Sequence, residues 1–289
     1  MKVYINGKMV PESKATVSVF DHGLLYGDGV FEGIRTYDGV VSLLEDHIDR
    51  LFRSARAIAM EIPMTKAGMM KAVVRICKEN KTMNGYVRLV VTRGVGELGL
   101  NPYLCRKPQV IIIAANIQLY PKKYYESGLE IVTVPTIRNS SESVNPSIKS
   151  LNYLNNILGK IEAINAGVVE ALMLNGQGYI AEATGDNVFA VVGKKLMTPP
   201  AYECTLVGIT RNSVMKLAAE RGYEVQETRM TRYDLYNADE VFLTGTAAEV
   251  IGVVKIDRRK IGKGVPGPAT LSLAKSFREY AGSVGVVIR

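Results

Sequence analysis

The chain has 289 residues, 47% of them hydrophobic and 22% charged, and 36 Lys and Arg against 28 Asp and Glu leave a net charge of +8. That length suits two domains of ordinary size or one large one, and the composition is that of a soluble globular protein. The longest apolar runs, such as VIIIAA from Val110, are strand-sized and too short to span a bilayer, so no membrane association is expected. MKVYINGKMV has no apolar h-region and does not resemble a signal peptide. Cys77, Cys105 and Cys204 lie far apart without CxxC spacing, and two histidines accompany them, which speaks against a bound metal. The expected location is cytoplasmic, with reduced thiols. The basic residues are dispersed rather than interleaved with aromatics in a block. Anionic small ligands and a solvated surface therefore account for the charge better than nucleic acid does.

In chain order, MKVYI is a strand turning at Asn6-Gly7-Lys8. After the glycine-rich DHGLLYGDG come strands VFEGIRTY and VVSLL, joined at Asp38-Gly39. EDHIDRLFRSARAIAM carries Ile48, Leu51, Phe52, Ala55 and Ile58 at helical spacing, with acids at its start. A second helix covers Lys66 to Glu79, followed by strands YVRLVVTRG and PQVIIIAAN. The first unit is thus an α+β layer domain over 1–119, with 120–128 a connection and 129–289 a second domain. There, EIVTVP is a strand and RNSSESVNP a polar loop. NPSIKSLNYLNNILGKIEA reads as a helix with an apolar stripe of Leu151, Leu154, Leu158 and Ile161. EALMLNGQGYIAEATGDNVFAVV reads as strands turning at NGQG and broken near Thr184-Gly185. TRNSVMKLAAERG is a helix ending at Gly222, DEVFLTGTAAEV a strand entering a turn, and Pro268 to Tyr280 the last helix. The fold class is α/β (α+β), in two domains with a site expected between them.

Several residues in this layout have chemical potential. In the expected helix, Lys149 and Tyr153 stand four apart and so share a face. A lysine becomes a nucleophile when its amine is deprotonated, and an amine bonded to an aldehyde cofactor is the pyridoxal phosphate arrangement. That cofactor requires a cup for its phosphate, a partner for its ring nitrogen and a donor to its ring phenolate. Gly208 precedes a helix whose N–H groups, with the Thr210 hydroxyl, would hold a dianion. LTGTAAE offers a second turn with the Thr246 hydroxyl. Arg53 would add a full positive charge, Glu182 a carboxylate for the ring nitrogen, and Tyr153 the phenol. Each also has a plainer reading: a capping threonine, a solvated strand-end glutamate, an arginine paired with Asp49 or lying along the surface. A binding module that uses the same anion cups without catalysis would have no need of Lys149, Tyr153 and Glu182 together.

In order and spacing, YGDGVFEGIRTY, HIDRLFRSA, YVRLVVTRG, NPSIKSLNYLNN, EATGDNVF, VGITR and TGTAAE resemble the fold-type IV pyridoxal phosphate enzymes, and most closely the branched-chain amino-acid aminotransferases. The resemblance covers nearly the whole chain. It implies the two-domain fold of that family with the cofactor, pyridoxal 5′-phosphate, at the domain interface. It also implies ping-pong transamination of L-leucine, L-isoleucine or L-valine with 2-oxoglutarate. By the same resemblance Lys149 would bond to the cofactor and shuttle a proton between Cα and C4′. Glu182 would keep the ring nitrogen protonated and Tyr153 would bond to O3′. Arg53, Ile209, Thr210 and Thr246 would hold the phosphate. Tyr86 and the Thr246-Ala247 turn would receive the α-carboxylate. Arg88, with Tyr26 from a neighbouring subunit, would take glutamate's distal carboxylate, and Phe31 and Tyr26 would line the apolar pocket. The assembly implied is at least a homodimer, with a hexamer left open.

D-amino-acid aminotransferases and aminodeoxychorismate lyases share this scaffold. The former carry an arginine and a histidine shortly after VTRG, whereas this chain reads VTRGVGELGLNPY, with no basic residue before Arg106. Glu32-Gly33 and Arg35 also match the branched-chain type.

Overall fold

A computed structural model describes residues 1–116 and 120–288. The chain divides into two compact units, one of Met1–Gln118, Ile148–Asn152 and Ala281–Arg289, the other of Leu119–Ser147 and Tyr153–Tyr280. This differs from the expected division. Residues 148–152, which include Lys149, and residues 281–289 belong with the N-terminal unit, while 120–128 belongs with the second unit rather than forming a separate connection. The expected boundary at Leu119 lies outside the described residues.

Backbone pairing explains both reassignments. The Phe31 N–H donates to the Lys149 carbonyl at 3.0 Å and the Leu151 N–H to the Gly29 carbonyl at 2.9 Å. Ser150 thereby bridges Val30 as a strand would. At the other end of the chain, Gly285–Val287 pairs antiparallel with Val40–Ser42.

Among the described residues the N-terminal unit has one seven-stranded sheet. Its order is Gly285–Val287, Val40–Ser42, Gly29–Tyr37, Gly85–Thr92, Gln109–Ala115, Lys2–Ile5 and Lys8–Pro11. Side chains alternate along Gly85–Thr92: Val87, Leu89 and Val91 are fully buried, while Tyr86 and Arg88 point to the other face. Helices Leu44–Ala57 and Lys66–Glu79 cover the buried face with Leu44, Ile48, Leu51 and Ala55 from the first and Met69, Val73 and Ile76 from the second. Each of these side chains larger than alanine contributes about 1.5–3 kcal/mol of burial. The Gly68 N–H donates to Thr65 Oγ1 at 3.1 Å, which caps the second helix.

The second unit is built on a sheet ordered Glu224–Glu227, Lys195–Thr198, Asn187–Val192, Glu240–Gly245, Glu249–Ile256, Leu129–Thr133, Glu170–Leu174 and Ile180–Ala183, with Arg259–Lys260 paired beside Glu249–Ile256. Leu129–Thr133 runs parallel to both neighbours, and Phe189 stacks on Phe242 with ring centroids 5.0 Å apart. The helix expected to open near Asn145 spans Leu154–Asn165 instead. Lys149 and Tyr153 therefore do not share a helix face, because Lys149 lies in the stretch paired with Gly29–Tyr37. The apolar stripe is also reversed. Asn156, Gly159 and Ala163 form the buried face, and Gly159 allows close approach to Met173 and Thr184. Leu154, Leu158 and Ile161 are exposed, together with Ile157 and Ile164. The last helix runs on from Pro268 to Ser283.

Candidate active site

In the N-terminal unit, Lys149, Phe31, Tyr86 and Arg88 come together. The Lys149 amine lies 4.7 Å from the Phe31 ring centroid. The Arg88 guanidinium lies 4.5 Å from the same ring and 5.6 Å from that of Tyr86. The register sets Gly33 opposite Arg88, and a methyl group on Gly33 would fall 1.8 Å from the Tyr86 hydroxyl. Only glycine leaves the phenol that place, which gives the Glu32-Gly33 pair a steric reason. Tyr26 ends the short helix His22–Tyr26, packs edge-on against His22 with centroids 5.0 Å apart, and remains part-exposed.

Helix Leu44–Ala57 supports this cluster from behind. Ser54 Oγ accepts the Lys149 N–H at 3.2 Å. One turn earlier, buried Arg50 donates through Nε and Nη2 to Glu32 at 2.7 and 2.8 Å, and His47 Nδ1 lies 2.8 Å from the same carboxylate. Burial alone would raise the Glu32 carboxyl, but the Arg50 guanidinium and then His47 outweigh it and hold it well below the usual carboxylate range. Burial lowers the His47 imidazole, against the pull of Glu32. The expected cation, Arg53, is exposed and lines a surface groove with Asp49, Phe52 and Arg56. Asp49 pairs with Lys66 at 2.6 Å. The arginine on the face towards Lys149 is Arg50, which the sequence reading passed over.

In the second unit, Asn187 links Glu182 to the segment 205–208 that leads into Ile209 and Thr210, and it pairs with Thr244, two residues before Thr246 and Ala247. Glu182 Oε1 accepts from Arg138 Nε at 2.9 Å, and Oε2 accepts from the Leu206 N–H at 2.9 Å, Thr205 Oγ1 at 3.0 Å and Asn187 Nδ2 at 3.3 Å. Arg138 and Glu182 are both buried. A carboxylate held this way is fixed in direction and still has acceptor capacity. Asn187 also donates to the Leu206 carbonyl at 2.8 Å, and its Oδ1 lies against Gly208. Gly208 is the N-cap of helix Ile209–Glu220, where no side chain caps the first turn. Those backbone N–H groups, with buried Thr210 beside them, are what a phosphate needs. Across the sheet Asn187 is paired with Thr244, whose buried hydroxyl has no hydrogen-bond partner among the described residues. Gly245, Thr246 and Ala247 follow as a half-buried turn. Tyr153 is the half-buried N-cap of helix Leu154–Asn165. The N-terminal unit thus holds an amine, and the second unit an oriented carboxylate and a helix start without a side-chain cap, which are the kinds of group the cofactor requires.

Arg138 and Asn187 were missed for different reasons. Arg138 sits in a polar loop where a charge reads as solvated. Asn187 stands inside the quoted EATGDNVF, yet an amide that links a carboxylate to a helix start has no pattern of its own.

The family described as amino-transferase class IV matches residues 29–256. A Methanocaldococcus jannaschii protein named "Putative branched-chain-amino-acid aminotransferase" is 50% identical over 288 residues, covering 100% of this chain and 99% of that one. A T.th. branched-chain amino acid aminotransferase, solved with pyridoxamine 5′-phosphate, superposes with a TM-score of 0.93 at 38% identity, over 97% of this chain and 94% of that one. The same enzyme has been solved with N-(5′-phosphopyridoxyl)-L-glutamate and with 4-methylvaleric acid. A D-alanine aminotransferase of Bacillus licheniformis is 36% identical over 278 residues, covering 96% of each chain. The chain belongs to the class IV aminotransferases, in their branched-chain-amino-acid group, and its cofactor is pyridoxal 5′-phosphate.

Proposed function

We propose that the enzyme transfers the amino group of L-leucine, L-isoleucine or L-valine to 2-oxoglutarate, giving the branched-chain 2-oxo acid and L-glutamate. The observation that carries this reading is the Phe31 ring, which touches the Lys149 amine on one hand and the Arg88 guanidinium on the other. One pocket then offers an apolar wall for a branched side chain and a cation for glutamate's distal carboxylate, as the two half-reactions require.

When bound, pyridoxal phosphate supplies an aldehyde that takes the amino group and a ring that delocalises the electrons of the Cα–H bond. Lys149 would move the proton from Cα. Glu182, fixed by Arg138, would partner the ring nitrogen, and Tyr153 would donate to the ring phenolate. The first turn of helix Ile209–Glu220, with Thr210 and Thr246, would hold the phosphate. Arg50 replaces Arg53 as the buried cation in this reading. Tyr86 and the Thr246-Ala247 turn receive the α-carboxylate.

The alternative is a D-amino-acid aminotransferase, favoured by the resemblance to the Bacillus licheniformis enzyme. Incubating holoenzyme with 2-oxoglutarate and either L-leucine or D-alanine, and resolving the glutamate formed by chiral chromatography, separates the two. L-glutamate from L-leucine supports the reading; D-glutamate from D-alanine alone overturns it.

The proposed assembly is at least a homodimer, in the cytoplasm. Leu154, Ile157, Leu158, Ile161 and Ile164 expose one apolar helix face on a single chain, and a second copy covering it explains their exposure. Part-exposed Tyr26 is assigned to a neighbouring copy's pocket. Sedimentation that shows an active monomer at dilution would refute the dimer, whereas Ile161→Glu shifting the protein to monomer supports it.

A further inference from the structure

We propose that Asp186 is a positioning residue for the substrate acid: as a neutral carboxyl group it lets an anion settle at the Gly245–Ala247 turn, and as an anion it repels one. The inference rests on the assignment of that turn to the α-carboxylate.

Three features of the second unit carry it. The pairing of Asn187 with Thr244 sets Asp186 opposite Gly245. A methyl group built on Gly245 would lie 1.9 Å from Asp186 Oδ1, so the carboxyl packs directly on the backbone that opens the turn. Next, Asp186 is buried, and its single side-chain hydrogen bond among the described residues is a long one, 3.5 Å to Oδ2 from the Tyr120 hydroxyl, whose one proton is shared with Glu170 at 3.3 Å. A buried carboxylate so poorly satisfied is costly as an anion and tolerable as an acid.

The third feature is the contrast with Glu170. That carboxylate accepts from the Ala171 N–H at 2.8 Å, the Thr184 N–H at 2.9 Å, the Lys160 ammonium at 3.0 Å, Tyr120 at 3.3 Å and the Thr184 hydroxyl. Glu170 is surrounded by donors, and Asp186 is not. The groups facing Asp186 are Glu170 on its strand, Lys160 on helix Leu154–Asn165, Tyr120 and Glu182. Glu170 is paired with Lys160 and Glu182 with Arg138; among the described residues Asp186 has no ion pair of its own, and the Lys160 charge that also acts on it is outweighed by burial and Glu170. Burial first, and then Glu170, push the Asp186 carboxyl up to about 7. Burial and the two carboxylates push the Tyr120 phenol well above its usual range, so it remains a donor.

The test is the affinity of holoenzyme for 4-methylvalerate, a carboxylate without an amine, by calorimetry from about pH 5 to about pH 9. Wild type loses about tenfold more affinity over that range than Asp186→Asn, because only wild type acquires the repelling charge. Tyr120→Phe moves the loss to higher pH, since the ionised carboxyl forfeits its donor. Independently of ligand, the Asp186 carboxyl resonance of 13C-aspartate-labelled holoenzyme, assigned by its absence in Asp186→Asn, titrates near neutrality. If wild type and Asp186→Asn follow the same pH profile, or if that carboxyl stays ionised throughout, the proposal is overturned while the substrate reading stands. If neither protein binds 4-methylvalerate at any pH, the assignment of the turn fails and the proposal with it.

Discussion

Arg138 donates to Glu182 through Nε at 2.9 Å and to Asn155 through Nη1 at 2.9 Å, so one buried guanidinium ties the carboxylate to the loop and the helix beside it. Arg138→Leu leaves Glu182 buried without its counter-charge, at a cost of about 3–5 kcal/mol. The expected outcome is a lower Tm and, on the proposed role of Glu182 at the ring nitrogen, a kcat reduced by about a hundredfold. Arg138→Lys restores charge without the second donor direction and falls between the two. Thermal melts and steady-state kinetics on the three proteins check this.

Arg50 and Arg53 lie on the same helix and give opposite predictions. Arg50→Ala weakens cofactor binding about tenfold or more and destabilises the protein, because it also strands Glu32. Arg53→Ala, on the exposed face, leaves both within about twofold and 0.5 kcal/mol of wild type. Equilibrium dialysis with pyridoxal phosphate distinguishes them.

Arg88→Ala separates the two substrates. Its guanidinium stacks on Phe31 and is assigned to the distal carboxylate, so KM for L-glutamate rises by about ten- to a hundredfold. KM for L-leucine changes little. Equal losses for both substrates would assign Arg88 to the α-carboxylate instead.

Glu32 sets a pH limit. Its folded carboxyl is held below the ordinary 4.5. The stabilisation it provides is therefore complete above that pH and is lost as pH falls through the folded value. Denaturant melts of wild type weaken steeply on the acid side. Glu32→Gln is less stable by about 3–5 kcal/mol at neutral pH, since Arg50 and His47 lose their partner, and its acid-side dependence is shallower.

The elements built on local periodicity were legible in the sequence. The alternation of Tyr86 and Arg88 against Val87 and Leu89 fixed one strand's two faces, and the spacing of Ile48, Leu51 and Ala55 marked the helix behind it. What periodicity cannot register is pairing between distant segments. Lys149 looked helical because Leu151, Leu154, Leu158 and Ile161 recur at helical spacing, yet Ser150 bridges Val30 and the helix starts at Leu154. Its stripe faces outward because small residues, Gly159 and Ala163, dock the helix. Buried charge was equally hidden. Arg50 sits at the edge of the apolar arc and Arg53 just beyond it, and only the partner Glu32, far away on a strand, distinguishes them. Lys149 and Glu182 were singled out on whole motifs rather than on single residues, and their roles are proposals.

The most direct test of the proposed reaction is the visible spectrum of purified holoenzyme before and after L-leucine. The expected result is that the yellow cofactor band is lost as 4-methyl-2-oxopentanoate is released, that 2-oxoglutarate restores it, and that Lys149→Ala does not turn over. A band indifferent to L-leucine but lost with a D-amino acid would contradict that reaction.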